Sequence, residues 1–385
     1  MSSQLSCRIS NTGQKMTKKK TKDFKKAALI MAGGTATALW PRSTNDNPKL
    51  LTYILGEGSM IQNTVMRLLP YFDLSDIYIV TNDRIKEQVI EQLPAIAVKN
   101  IISEPFGRGT APCVALAVTY ISEKYDDDSV IMVFPSDHHI ENVREFHDSL
   151  ILAADVAYNK KGIVTLGINP SRPETGYGYI QVKDKSFKPE EVIDENVRYS
   201  TTFAEKPDSA TAQRFMDSGD FVWNSGIFIW RKDVILNAFK KYLPEHYRFF
   251  KILKKQVGKD FFKETLKDIY YQIDNDSLDY AILEKADNVF VVRSTFTWSD
   301  LGSWDEIHRI VFKDARNNFI EGNVAAVNIH NCLISSHDRF IGIAGVKDLV
   351  IIDSEDSLLV CRRDHEEDVQ DIIDYMKRKQ ITHYM

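Results

Sequence analysis

The chain predicts an α/β fold, a mostly parallel sheet wrapped by helices, followed by a small β-rich unit. Three observations carry this expectation. The run Ala27-Ala28-Leu29-Ile30-Met31-Ala32 is apolar without interruption and ends in Gly33-Gly34, as a strand buried on both faces and entering a loop reads. Further apolar runs at residues 77–81, 130–135, 163–168 and 227–230 alternate with helix-like stretches at 110–124 and 146–158, the pattern of βαβ units. After about Asn317 the texture changes to short β-type segments at 323–328, 332–335, 340–344, 349–353 and 357–360, followed by a charged amphipathic helix over 366–379. The expected organisation is a polar leader over 1–26, an α/β domain over 27–316 and a β-rich domain over 317–385.

With 385 residues the chain has room for one large α/β domain or two domains with sizeable cores. Hydrophobic residues make up 43% and charged residues 27%, a globular composition. The formal net charge of −5 gives no overall pull toward nucleic acid or an anionic membrane, so neither is expected as a partner. The leader ends in a lysine-rich run, Lys18 to Lys26, which reads as a solvated tail; Met16 is an alternative start. Cys7, Cys113, Cys332 and Cys361 lie far apart and form no CxxC pair, which indicates neither a zinc cluster nor a disulfide framework. No apolar run approaches a membrane span, and residues 1–26 lack a signal-like apolar core, so a soluble, cytoplasmic protein is expected.

In open α/β sheets ligands bind beyond the carboxyl ends of the strands, and the loops there decide the chemistry. The first runs from Gly33 to Pro41, followed by Asn47-Pro48-Lys49. Its glycines let backbone N–H groups approach phosphate oxygens and the lysine neutralises them, although a tight structural turn would read alike. Neither GxxxxGK[ST] nor GxGxxG is present, which excludes a P-loop and leaves a dinucleotide-dependent oxidoreductase without its fingerprint. In Phe134-Pro135-Ser136-Asp137-His138-His139 a strand delivers Asp137 to the sheet edge, as an oxygen ligand for a cation such as Mg²⁺ or as a helix cap. The adjacent histidines diverge and do not suit zinc. Asp300, between Trp298 and Trp304, is a second metal-ligand candidate or a loop anchor. Carboxylate, lysine and amide groups beside glycines at 173–179, 203–207 and 223–227 suit a sugar.

Taken in order, Ala32-Gly33-Gly34, Pro48-Lys49, Glu104-Pro105, GRGTAPCVALA at 107–117, PSDHHI at 135–140, PETGYGYI at 173–180, FAEKPD at 203–208, WNSGIFIW at 223–230, SLDYAILEKA at 277–286 and WSDLGSW at 298–304 cover nearly the whole chain beyond residue 26. In this series the chain resembles the nucleotidyltransferases that make nucleoside-diphosphate sugars, in their branch of guanylyltransferases acting on mannose 1-phosphate. The resemblance implies a Rossmann-like catalytic domain with a C-terminal domain of left-handed β-helix character, in the short form without a fused isomerase module. It implies Mg²⁺-dependent transfer of GMP from GTP to mannose 1-phosphate, giving GDP-mannose and pyrophosphate. By carry-over, Asp137 and Asp300 hold the metal and Lys49 contacts phosphate. Ala32, Gly33, Gly34, Thr35, Glu104, Gly109, Thr110 and Ala111 lie against the nucleotide. Gly176, Glu205, Lys206 and Asn224 line the sugar phosphate. The β-rich C-terminal segment offers a surface for a homodimer.

One departure bears on activity. The family's loop reads GGxGTR, whereas this chain has Gly33-Gly34-Thr35-Ala36-Thr37-Ala38. Ala36 places a Cβ where backbone and phosphate meet, at a cost of order 1 kcal/mol. Ala38 replaces an arginine, and arginines in phosphoryl transfer are worth roughly 10³ to 10⁵ in rate. Arg42 and Arg108 flank the loop as candidate substitutes. The alternative to an enzyme is therefore a catalytically silent relative that binds a nucleotide sugar or regulates a partner.

Overall fold

The computed structural model describes residues 24–34, 39–183 and 194–385. The expected leader up to residue 23, together with Thr35, Ala36, Thr37 and Ala38, lies outside the described residues. In chain order the strands of the larger unit are β1 (Lys26–Ala32), β2 (Ile77–Asn82), β3 (Ile101–Glu104), β4 (Val130–Pro135), β5 (His139–Ile140), β6 (Ile163–Ile168), β7 (Gly178–Lys183), β8 (Val197–Glu205), β9 (Phe221–Arg231), β10 (Val289–Ser294) and β11 (Trp298–Ser299). Nine of them form one sheet in the order β3-β2-β1-β4-β9-β6-β10-β8-β7. The sheet is mixed: β8 and β9 run against the other seven strands.

The unbroken apolar runs follow from cores on both faces. Ala28 and Ile30 of β1 and Val130, Met132 and Phe134 of β4 join helices Met60–Leu68 and Val143–Lys160 on one side. Ala27, Leu29, Ile131 and Val133 join helices Thr110–Ile121, Pro244–Lys254 and Phe262–Gln272 on the other. Alternate side chains thus face opposite cores, and from Ala27 to Ala32 of β1 and along β4 every position is apolar.

The apolar run at 227–230 is the end of an eleven-residue strand, β9, which returns antiparallel between β4 and β6. No apolar run marks β8, because much of it is half-buried or exposed. The first residues of β9 also pair with β7, which closes β9, β6, β10, β8 and β7 into a ring. Ile180, Val182, Val222 and Val291 form a small core of their own there. Gly167, beside a register shift in β6, packs against it: a Cβ at that position would stand 2.6 Å from both Val222 and Val291.

The C-terminal segment forms stacked β coils. β12 (Phe319–Glu321), β14 (Leu333–Ser335) and β16 (Leu349–Asp353) make one parallel ladder, and β13 (Val324–Val327) with β15 (Ile341–Ala344) a second. β17 (Leu358–Arg362) pairs antiparallel with β16. Asn317, Asn331 and Asp348 take left-handed backbone angles at the corners, a conformation Asn and Asp tolerate. Their side chains hydrogen-bond one above another, Asn317 to Asn331 and Asn331 to Asp348, each at 2.5 Å. The final helix spans Val369–Arg378 and follows a 3₁₀ turn, Arg363–Asp368, rather than running continuously from residue 366.

Overpacking predicts that Gly167→Val lowers stability by about 1–3 kcal/mol. The expected result is a lower urea midpoint with an unchanged dependence on urea concentration.

Candidate active site at the carboxyl edge of the sheet

Strand direction brings the expected residues to one edge. β1 ends at Ala32 and passes into Gly33 and Gly34, β3 ends on Glu104, and the chain leaving β4 carries Asp137. Because β9 runs the opposite way, its early residue Asn224 reaches the same edge, in register with Gly167 at the end of β6.

Lys49 joins the two aspartates. It lies in a buried 3₁₀ turn, Lys49–Leu51, and its Nζ is 2.8 Å from Asp137 Oδ2 while also donating to the main-chain carbonyl of Asp300. Burial pushes the Asp137 carboxyl up, but the Lys49 ammonium and its hydrogen bond more than offset this and hold it below the ordinary range. Although 163 positions separate the aspartates, the two-residue ladder of β5 and β11, with His139 opposite Ser299, fixes both at one place. His138 braces that ladder. Burial pushes its imidazole down to about 4, and neutral Nδ1 accepts the Trp298 indole N–H at 3.1 Å.

A second layer surrounds Asp300. The Tyr177 hydroxyl lies 3.1 Å from Asp300 Oδ1 and donates to Glu306, which also accepts from Arg172 at 3.1 Å. Arg172 in turn lies over the rings of Tyr177 and Trp223. Burial and the neighbouring Glu306 carboxylate push the Asp300 carboxyl up, whereas Tyr177 and Arg172 stabilise Glu306 as an anion.

On the side of β1 and β3, Glu104 is buried and its Oε1 accepts the Tyr270 hydroxyl at 2.7 Å. Oε2 lies beside Gly33. Burial pushes this carboxyl up to about 7 despite the hydrogen bond. Gly109 has φ +85°, and a Cβ there would meet the Asp276 carbonyl at 2.4 Å, so only glycine fits. That close approach lets Asp276 accept the Ala111 N–H at 3.1 Å, while Thr110 Oγ1 accepts the Leu278 N–H at 2.8 Å.

The same segment reaches the ring side. Asp279 accepts from Asn224 Nδ2 at 2.8 Å, and Asn224 Oδ1 accepts the Gly226 N–H at 3.2 Å, which fixes the amide's orientation. Glu205 pairs across from Gly178, with Lys206 Nζ at 3.7 Å. Gly176 lies in the exposed turn before Tyr177, its N–H held by Glu174 at 3.1 Å.

The structure thus gathers Lys49, Asp137 and Asp300 at the centre, with Gly33, Glu104, Gly109, Thr110 and Ala111 on one side and Glu205, Lys206 and Asn224 on the other. Thr35 lies outside the described residues. The two flanking arginines are engaged elsewhere: Arg42 with Ser335 at 2.5 Å and Glu321 at 3.4 Å, Arg108 with the Tyr270 carbonyl at 2.9 Å. Sequence reasoning assigned no role to Tyr177, Arg172, Glu306, Tyr270 or Asp279. Tyr177 and Asp279 lie within quoted motifs and Arg172 and Glu306 within two residues of one, whereas Tyr270 lies in none; each has a partner supplied from a distant segment.

A family model described as nucleotidyl transferase matches residues 27–317, and one described as a MannoseP isomerase/GMP-like beta-helix domain matches residues 322–376. The mannose-1-phosphate guanylyltransferase of Escherichia coli is 35% identical over 364 residues, 92% of this chain and 75% of that protein. The mannose-1-phosphate guanylyltransferase RfbM of Salmonella typhimurium is 37% identical over 364 residues, 92% of this chain and 73% of that protein. Among solved structures, that of mannose-1-phosphate geranyltransferase from Thermus thermophilus aligns with a TM-score of 0.81 at 28% identity, over 92% of this chain and 99% of that one. No helix among the described residues is long and apolar enough to cross a membrane.

Glu104 predicts a pH signature. Its folded-state pKa lies above the ordinary carboxylate value, so unfolding releases a proton between about pH 4.5 and 7 and stability falls as pH rises through that window. Between pH 5 and 8 the wild type is expected to lose up to about 3 kcal/mol relative to Glu104→Gln, measured as the difference in urea unfolding.

Proposed function

The chain belongs to the nucleotidyl transferase family, and we propose that it transfers GMP from GTP to mannose 1-phosphate, releasing pyrophosphate and forming GDP-mannose. One observation carries this function: Lys49, Asp137 and Asp300 converge between a buried carboxylate beside the glycine loop and an amide–carboxylate cluster on the ring. Two half-buried carboxylates offering only oxygen ligands fit Mg²⁺, which binds through one or two carboxylates and completes its shell with substrate phosphates and water. Asp137 and Asp300 would hold the ion, which when bound neutralises charge on the triphosphate and the departing pyrophosphate.

The remaining steps rest on the chain's own groups. A mannose 1-phosphate oxygen attacks the α-phosphorus of GTP, and the bond from that phosphorus to the bridging oxygen of pyrophosphate breaks. The attacking phosphate is already ionised near neutral pH, so the site needs alignment and charge neutralisation rather than a general base. Lys49, fixed on Asp137, presents its ammonium to phosphate oxygens. Ala32, Gly33 and Gly34 approach the nucleotide through backbone groups. Glu104, beside Gly33, is suited to the two adjacent donors on the Watson–Crick edge of guanine. Asn224, its amide fixed by Asp279, and Glu205 face the sugar hydroxyls, with Gly176 and Lys206 nearer its phosphate. A homodimer packed on the exposed Val327, Phe340, Leu358 and Val360 of the C-terminal coils, and a cytoplasmic setting that supplies GTP, complete the proposal.

The decisive measurement is pyrophosphate release from GTP, mannose 1-phosphate and Mg²⁺. The protein as it stands is expected to turn over. Ala36→Gly with Ala38→Arg is expected to raise the rate, by as much as about 10³ if the arginine is uncompensated. Asp137→Asn and Asp300→Asn are each expected to lower it by about 10² or more. An inactive wild type beside an active restored version would reject catalysis and assign the chain a binding or regulatory role.

Glu104 supplies a separate test of base choice. Guanine donors stabilise its ionised form, so GTP binding should release a proton near pH 7. Calorimetry in buffers of different ionisation enthalpy is expected to detect that proton with the wild type and not with Glu104→Gln.

A further inference from the structure

We infer that the C-terminal unit is a positioning part of the active site, acting through Glu366 and Arg363 on the helix that follows Asp300. This rests on the nucleotidyl transfer proposed above. Asp300 is followed by Leu301, with φ +48°, then Gly302 and Ser303, and helix Trp304–Ile310 begins. The first N–H groups of a helix have no partner within it. Ser303 caps its own helix by accepting the Glu306 N–H at 3.1 Å. The two preceding donors are satisfied from the other unit: the Glu366 carboxylate accepts the N–H of Trp304 and, at 2.6 Å, that of Asp305. Arg363, three residues before Glu366, donates to the Asp305 carboxylate. A carboxylate at a helix N-terminus makes charge-assisted bonds and meets the positive end of the helix dipole, so this contact adds electrostatics to the packing between the two units.

The helix held in this way reaches the reacting centre by two routes. Glu306, in its first turn, accepts from Tyr177 and from the Gly302 N–H, and both of these also bond the Asp300 carboxylate. The Trp304 indole N–H donates at 2.9 Å to the carbonyl of Trp40, in the last part of the loop after β1, and the Trp40 indole N–H donates at 2.7 Å to the Tyr384 carbonyl. Leu39, Trp40, Leu301, Trp304 and Ile307 share one core with Val369, Ile373 and Met376 of the C-terminal helix. Removing the Glu366 carboxylate therefore loosens Asp300, while Glu104 and Asn224 in the two subsites keep their own partners Tyr270 and Asp279, a kcat effect rather than a KM effect.

Amide hydrogen exchange and steady-state kinetics on the full-length protein test this together. Glu366→Ala is expected to speed exchange across residues 300–306 by about tenfold or more, with the strands of the large sheet unchanged. It is expected to lower kcat by about tenfold with KM for GTP and mannose 1-phosphate within about threefold. Glu366→Gln, which keeps an acceptor oxygen and most of the packing, should fall between wild type and Glu366→Ala on both measures. Unchanged exchange at 300–306, or faster exchange spread evenly over the sheet, overturns the inference; so does an unchanged kcat. The exchange measurement needs no substrate, so a failed clamp is told apart from a wrong choice of nucleotide or sugar, which would show as an inactive wild type.

Discussion

The centre of the carboxyl edge depends on one buried ammonium. Lys49 is 4% exposed, and a lysine so enclosed is stable only if its charge is matched. Asp137 provides the counter-charge and the Asp300 carbonyl a further acceptor. The same contacts join the loop after β1, the end of β4 and the segment after β11, three pieces of chain that no single strand pairing unites.

The two-sided sheet explains why such a costly arrangement can be tolerated. β1 and β4 are sealed on both faces, and their backbones have almost no freedom to shift. Polar chemistry is confined to the edge, where strands end and backbone donors become available. The ring of β6 to β10 then turns the second half of that edge toward the first.

The legible parts of the sequence were those governed by local pattern. The apolar run at 27–32 announced β1 because both cores demand it, and the change of texture after Asn317 announced the coils because short parallel strands need frequent corners. Asp137 and Asp300 could be singled out as carboxylates delivered by loops, and the motif series linked them. The antiparallel entry of β9 was not visible, since an apolar segment reads the same in either direction. Nor were β8, whose side chains straddle solvent, and the second layer around the site. Glu306 and Arg172 are ordinary surface types by composition, and their meaning arises only when the fold brings them together beside Tyr177 and Asp300. Glu366 was hidden for the same reason: its partners are two backbone amides 61 and 62 positions away.

The closed ring has a consequence for how such a protein diversifies. It meets the open part of the sheet where β9 lies against β4, and it shares both large cores with that part: Leu166, Tyr179 and Val292 pack with Ile30 and Met132, and Ile163 and Val289 with Leu29 and Ile131. The core that belongs to the ring itself is the small one of Ile180, Val182, Val222 and Val291, where drift has least reach into the open sheet. The segment from Asp276 to Asp279 is tied to both sides directly, because it touches Gly109, Thr110 and Asn224 at once. Over a lineage, a substitution along those four residues is felt on both sides of the edge at once, whereas one in the small core is absorbed within the ring.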